Sequence, residues 1–283
     1  MPCQTPIFVL PAGAFREVPV PCGRCPPCMK RRVDSWVFRL KQHEKVCTSS
    51  HFVTLTYSPQ FLPISPNGWM TLDKGEFPRY MKRLRKLCPD AKLSYYACGE
   101  YGTIGKRPHY HAIIFNVPKD SLFFDAWSLD GVSLGKVHVG TVTGDSIAYC
   151  CKYMNSSEFF SFHAGDDRVP EFSLMSKGMG ANYVTDAIKR YHNDDLSRNY
   201  LTVDGGHKIA LPRYYKARLY ASDTDDDRRV LADESSRKRD VDNRDYHARL
   251  YGSNPEYTYE QFVIDQRTAR NTSFKKSKKV RDV

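Results

Sequence analysis

The stretch Arg107-Pro108-His109-Tyr110-His111-Ala112-Ile113-Ile114-Phe115 sets two imidazoles two residues apart in a β-branched, aromatic run. A strand sends alternate side chains to one face, so His109 and His111 project together. Two neutral imidazoles on one face can ligate a divalent metal. Glu100 lies near the end of the preceding segment, in Cys98-Gly99-Glu100-Tyr101-Gly102. If the two segments pair as a hairpin across residues 102–108, Glu100 falls beside His109. Two histidines and a carboxylate then make a metal site with positions open to substrate and water. The competing reading makes the histidines structural and Glu100 a solvated turn residue.

A second group follows in Ala148-Tyr149-Cys150-Cys151-Lys152-Tyr153-Met154. On a helix, Tyr149 and Tyr153 stand one turn apart on one face, and Lys152 follows Tyr149 by three positions. A phenol titrates near 10 and is a poor nucleophile unless a metal or cation assists it. Lys152 would stabilise a phenolate or a phosphate. The plain alternative is that the tyrosines pack in a core. A third group, Cys22, Cys25 and Cys28, has spacing that in a reducing compartment favours metal over disulfide. A tetrahedral zinc needs four ligands, and Cys3 is the natural fourth. Zinc and a set of reduced thiols both remain open. The other five cysteines (47, 88, 98, 150 and 151) read as small buried apolar residues.

These groups need elements to hold them. Val33, Trp36, Val37 and Leu40 recur at helical spacing, predicting a helix from Lys30 to about Val46. His51–Tyr57 reads as a strand. Lys74–Leu87 reads as a basic amphipathic helix ended by Pro89, and Lys92–Tyr101 and His109–Val117 as the paired strands. Ser121–Trp127 predicts a short helix, 135–142 a fourth strand, and Asp145–Met154 a helix capped by Thr143 or Asp145. A further helix is expected near Ala181–Tyr191. Residues 1–29 are too rich in Pro, Gly and Cys for long regular structure.

The 283 residues carry a formal charge of +11, with 18 Tyr and 15 Phe. That balance favours a polyanion, most simply nucleic acid, and aromatics beside cations suit single strands. Candidate phosphate contacts are Arg31 and Arg32 on the first helix, Lys82, Arg83 and Arg85 on the second, and Lys106 and Arg107 in the loop before the histidines. No apolar run is long enough for a membrane span, and the start lacks a secretory signal pattern. The protein is expected to work in the cytoplasm. No G-x-x-x-x-G-K-[ST] loop is present, so any strand unwinding is expected to rely on a separate helicase.

Three segments share the order and approximate spacing of the HUH endonucleases. Phe52-Val53-Thr54-Leu55-Thr56-Tyr57 resembles that superfamily's first motif strand, Glu100 with His109 and His111 its metal motif, and Tyr149-x-x-Lys152-Tyr153 its two-tyrosine motif. The chain is most similar to replication initiation proteins of small single-stranded DNA phages of the microvirus, gokushovirus-like type. Pro21–Cys28, the Arg-rich helix with Trp36, Pro170–Ser176 and Pro212–Tyr215 support the narrower resemblance, which spans roughly residues 3 to 220. It implies metal-dependent nicking of one strand at the phage replication origin by tyrosine, through a 5′-phosphotyrosine, and later joining by transesterification. It also implies Mg²⁺ or Mn²⁺, action in the bacterial host's cytoplasm, and use of host helicase and DNA polymerase.

The expected fold is α+β: an HUH-type sandwich with a mainly antiparallel sheet, a Cys-rich N-terminal extension and a C-terminal tail. Helices are expected on one face of the sheet, leaving the other free for the site. The expected segments are a Cys-rich part with basic helix (1–48), a nuclease core (49–160), a family-specific extension (161–221) and a charged tail, flexible or helical (222–283). An HUH transposase or relaxase is the nearest alternative, though the cysteine cluster argues against it. A zinc-stabilised nucleic-acid-binding protein without catalysis is the alternative from another class.

Overall fold

The run Ala112-Ile113-Ile114-Phe115 shows no polar alternation, and a strand of this kind must be covered on both faces. The computed structural model describes residues 3–10, 15–102, 104–152, 165–220, 224–252, 254 and 257–279. The chain divides into two units, Arg32–Tyr183 and Met1–Arg31 with Val184–Val283.

The N-terminal part holds two three-residue strands, β1 (Ile7–Val9) and β2 (Val18–Val20), paired antiparallel. Helix α1 (Pro26–Glu44) follows. It starts earlier than the expected Lys30, because prolines are tolerated in a first turn, where their missing N–H is not needed. Next come β3 (Ser50–Thr56), α2 (Glu76–Leu87), β4 (Ser94–Tyr101) and β5 (Pro108–Phe115). Helix α2 begins at Glu76 rather than Lys74. Asp73 folds its carboxylate onto the Gly75 N–H (2.7 Å), which sets a turn before the first helical residue. The short α3 (Ser121–Ala126) precedes the small hairpin β6 (Ser128–Leu129) and β7 (Val132–Ser133), then β8 (Val137–Thr141) and α4 (Gly144–Lys152).

Beyond lie β9 (Phe172–Met175), α5 (Asp186–Asn193), β10 (Tyr200–Thr202), β11 (Lys208–Ala210) and α6 (Arg213–Leu219). The helix expected near Ala181–Tyr191 is in fact two pieces: a 3₁₀ turn at Ala181–Tyr183 and then α5. The Thr185 hydroxyl accepts from the Ile188 N–H (3.3 Å) and so starts a new helix. The charged C-terminal segment forms α7 (Asp225–Tyr251) and α8 (Tyr259–Lys279). At their junction His247 and Phe262 are buried, with Tyr251, Tyr257 and Tyr259 around them.

The main sheet has five antiparallel strands in the order β8-β3-β5-β4-β9, so β5 is central. On one face Val53, Leu55, Ala97, Tyr110, Ala112 and Ile114 pack with Phe77, Tyr80, Met81 and Leu84 of α2 and Phe123 of α3. On the other, Tyr96, Cys98, Ile113 and Phe115 pack with Leu40 of α1 and Ile147, Cys150 and Cys151 of α4. The expectation of one uncovered face is therefore corrected: helices cover both, as the unbroken apolar run in β5 requires. Two glycines permit close approach. A Cβ at Gly135 would lie 1.9 Å from the Thr56 carbonyl, and one at Gly99 would lie 2.9 Å from the Phe172 ring.

A candidate metal and nucleophile site

The β4–β5 register places Glu100 opposite His109 and Cys98 opposite His111. On the other side of β5, Thr56 is opposite His109 and Thr54 opposite His111. Paired residues share a face, so both imidazoles and the carboxylate lie on the face covered by α1 and α4. His109 Nε2 is 2.7 Å from Glu100 Oε1, and His111 Nε2 is 3.0 Å from the same oxygen. The side chains are 15%, 11% and 3% exposed for His109, His111 and Glu100, so the carboxylate is the deepest of the three.

The rings are held from behind. His109 Nδ1 meets the Arg107 carbonyl at 3.0 Å. A carbonyl only accepts, so this nitrogen carries a hydrogen and Nε2 turns to Glu100. His111 Nδ1 meets the Thr54 hydroxyl at 2.9 Å, and Phe52 stacks on the ring at 5.5 Å and 13°. The Tyr149 hydroxyl donates to Glu100 Oε1 at 2.8 Å, its ring edge-on to His111 at 5.0 Å. Helix α4 delivers that hydroxyl. Ile147, Cys150 and Cys151 anchor its buried stripe, and Tyr149 lies half-buried beside them. Thr143 caps the helix reciprocally with Ser146: the Ser146 N–H donates to Thr143 Oγ1 (3.1 Å), and the Thr143 N–H to Ser146 Oγ (2.8 Å).

The electrostatics suit a cation. Burial pushes the Glu100 carboxyl up, but hydrogen bonds from His109 and His111 outweigh it and bring it down to about 2. Burial works against a charged His109, yet the Glu100 carboxylate holds its imidazole above the ordinary range. Glu100 Oε2 is buried and has no hydrogen-bond partner. Ligands adjacent on an octahedral cation at about 2.1 Å sit about 3.0 Å apart. The separations of 2.7 and 3.0 Å fit that edge. The three side chains form one of two clusters, among the described residues, able to hold a metal ion.

The other cluster is Cys3, Cys22, Cys25 and Cys28, whose sulfurs all lie within 4.8 Å of one another. Hydrogen bonds from Thr5 and from backbone N–H groups hold the Cys22 thiol down to about 5, while burial pushes Cys28 up to about 12. Of the remaining cysteines, Cys88, Cys98, Cys150 and Cys151 are buried and Cys47 is half-buried.

Tyr153 lies outside the described residues, as does the side chain of Lys152, whose backbone ends α4. The basic candidates do not converge. Helix α2 packs on the sheet face opposite the histidines, which takes Lys82, Arg83 and Arg85 away from Glu100. Arg83 is also committed to the Ala126 carbonyl (2.7 Å) and to Glu76 (2.8 Å). Arg107 donates to the Tyr57 carbonyl (2.6 Å), whereas Lys106 is exposed at the β4–β5 turn. On α1, Arg32 is exposed and Arg31 half-buried. Sequence reading overlooked Thr54 and Phe52, although their alternation in Phe52-Val53-Thr54 was a usable signal. It also overlooked Glu171, which accepts the Tyr101 N–H at 3.2 Å and places a second carboxylate toward His109.

Residues 50–158, from β3 through α4, match the family model described as Replication-associated protein ORF2/G2P. The chain is similar to replication-associated proteins of several bacterial viruses. It is 29% identical over 216 residues to Replication-associated protein ORF2 of Spiroplasma virus 4, covering 71% of this chain and 67% of that one. It is 27% identical over 216 residues to Replication-associated protein VP4 of Bdellovibrio phage phiMH2K, covering 69% and 66%. The match to Replication-associated protein ORF4 of Chlamydia phage 1 is 22% over 223 residues and spans 53% of that relative. No solved structure gives a significant match. The matched segment contains the whole Glu100–His109–His111–Tyr149 constellation.

Proposed function

We propose that this protein initiates rolling-circle replication by nicking and joining single-stranded DNA at a phage origin. The observation that carries this reading is the Tyr149 hydroxyl, 2.8 Å from the carboxylate that also faces both histidines. Glu100, His109 and His111 would hold Mg²⁺ or Mn²⁺. Held there, such an ion would supply Lewis-acid polarisation of the scissile phosphate and offset the charge developing on it.

The phenol oxygen of Tyr149 attacks phosphorus in line with the leaving 3′ oxygen. A P–O bond to tyrosine forms as the P–O3′ bond breaks, and the phenol's proton is lost while the 3′ oxygen gains one. The 5′ end stays on tyrosine, and the free 3′-OH primes synthesis. Attack by a 3′-OH on the phosphotyrosine reverses the bonds and joins the ends without ATP. Tyr149 is assigned the first cut, Tyr153 the second, and Lys152 the stabilisation of phenolate or phosphate. Host helicase and polymerase supply unwinding and synthesis, in the bacterial cytoplasm. Among the described residues, no helix is long and apolar enough to cross a membrane.

The test mixes protein, Mn²⁺ and single-stranded phage DNA and looks for a protein–DNA adduct stable in denaturant. Wild type is expected to form it, and the Tyr149→Phe/Tyr153→Phe double variant to lose it. DNA binding with no adduct from wild type would establish the non-catalytic binder instead.

A further inference from the structure

Strand β1 buries almost nothing, with Ile7, Phe8 and Val9 exposed at 52%, 62% and 38%, and on β2 Val18 and Val20 are only half-buried. A lone two-stranded hairpin without a covered face is marginal in water. Something else must hold β1 and β2 in place. Cys3 precedes β1, Cys22 follows β2, and Cys25 and Cys28 stand at the start of α1. One ion bound to all four would clamp both ends of the hairpin to the first turn of that helix.

The sulfurs are arranged for it. Cys3 Sγ and Cys25 Sγ are 3.7 Å apart. Thiolates at about 2.3 Å from a tetrahedral ion sit about 3.8 Å from each other, whereas a disulfide would bring them to about 2.05 Å. Donors converge on the sulfurs. Cys22 Sγ accepts from Thr5 Oγ1 (3.3 Å), the Arg24 N–H (3.4 Å) and the Cys25 N–H (3.3 Å). Cys3 Sγ accepts from the Cys22 N–H (3.3 Å), and Cys25 Sγ from the Gln4 N–H (3.5 Å). Five donors thus converge on three sulfurs, an arrangement that would support the negative charge of sulfur ligands around a bound ion. All four cysteines are free.

We propose that Cys3, Cys22, Cys25 and Cys28 hold one Zn²⁺ and that this ion is what ties β1 and β2 to the start of α1. Zinc takes its ligands as thiolates, so each cysteine still protonated gives up its proton on binding, and the resulting Zn(S-Cys)₄ centre carries a charge of −2, which the N–H dipoles offset. The centre is structural, because four protein ligands leave no open position for substrate. Its binding energy is folding energy for a segment with almost no apolar core.

The experiment uses full-length protein kept reduced. Metal analysis is expected to give one zinc per chain at the cysteines, retained in Cys47→Ser and lost in Cys25→Ser. Cobalt substitution of wild type is expected to give the intense sulfur-to-metal and ligand-field bands of tetrahedral S₄, which needs no variant to fold. Chelation is expected to open chymotryptic cleavage at Phe8 and Phe15. Iron in place of zinc, an empty cluster after zinc reconstitution, absence of S₄ bands, or an unchanged cleavage pattern after zinc removal would each overturn the proposal.

Discussion

Thr54 orients His111 through a side chain, whereas His109 is oriented by a backbone carbonyl that no substitution removes. Residues behind a metal-bound histidine commonly set affinity by 10- to 100-fold. Thr54→Val is therefore expected to weaken Mn²⁺ binding by about that factor, with Thr54→Ser largely restoring it. Mn²⁺ titration by electron paramagnetic resonance reads this directly, and equal affinity in Val and wild type would remove Thr54 from the site. Proton linkage adds a second expectation. The Glu100 carboxyl, at about 2 against an ordinary 4.5, contributes stability above 4.5 that is lost as pH falls toward 2. His109, raised above 6.5, contributes fully below 6.5, and its share is lost as pH rises through its folded value. The cation-free pair thus stabilises most between about 4.5 and 6.5. A metal must displace the proton at His109 Nε2, so the Mn²⁺-induced rise in Tm should be small at pH 5.5 and grow toward pH 8. A pH-independent rise would contradict it. Glu100, His109 and His111 could be brought together from sequence because their pairing is a local hairpin. Alternation in β3 could mark the face of Thr54 but not pair it with His111, since that partner lies 57 residues away and depends on the β3–β5 register.

At the scale of elements, α4 sets where the Tyr149 hydroxyl stands. Sequence left two residues open for its cap, and the reciprocal bonds with Ser146 select Thr143. Thr143→Ala should cost about 1 kcal/mol in urea unfolding. Adduct formation should fall with it, while Mn²⁺ affinity should stay near wild type; unchanged adduct yield would show that the first turn does not position Tyr149. The sheet was only partly legible. β3, β4, β5 and β8 could be placed because their apolar residues are dense. β9 is hard to see in sequence: Phe172-Ser173-Leu174-Met175 is short, and it pairs only at the sheet's edge with a strand 73 to 79 residues earlier. Coverage of both faces is written in the apolar run of β5, whose lack of polar alternation requires it.

For the whole molecule, the net charge of +11 says that an anion is favoured but not where. The sheet separates the basic groups. Lys82 and Arg85 ride on α2, against the face opposite the histidines, whereas Lys106 is in the turn that leads into β5. Lys106→Ala is expected to weaken single-strand binding and lower the salt slope by about one, and Lys82→Ala/Arg85→Ala to change adduct yield little. Fluorescence anisotropy over a salt series checks both; a larger loss from the α2 pair would place the DNA on the other face. Charge counting could nominate all of these residues, but only packing could sort them.

The central position of β5 bears on how the site endures. Its backbone is bonded on both sides, to β3 and to β4, so its amides should be among the slowest to exchange with deuterium. Local opening cannot scatter His109 and His111 without tearing two ladders at once. An ion leaving that place would therefore leave a finished socket behind, and a replacement could enter at diffusion-like speed with no refolding.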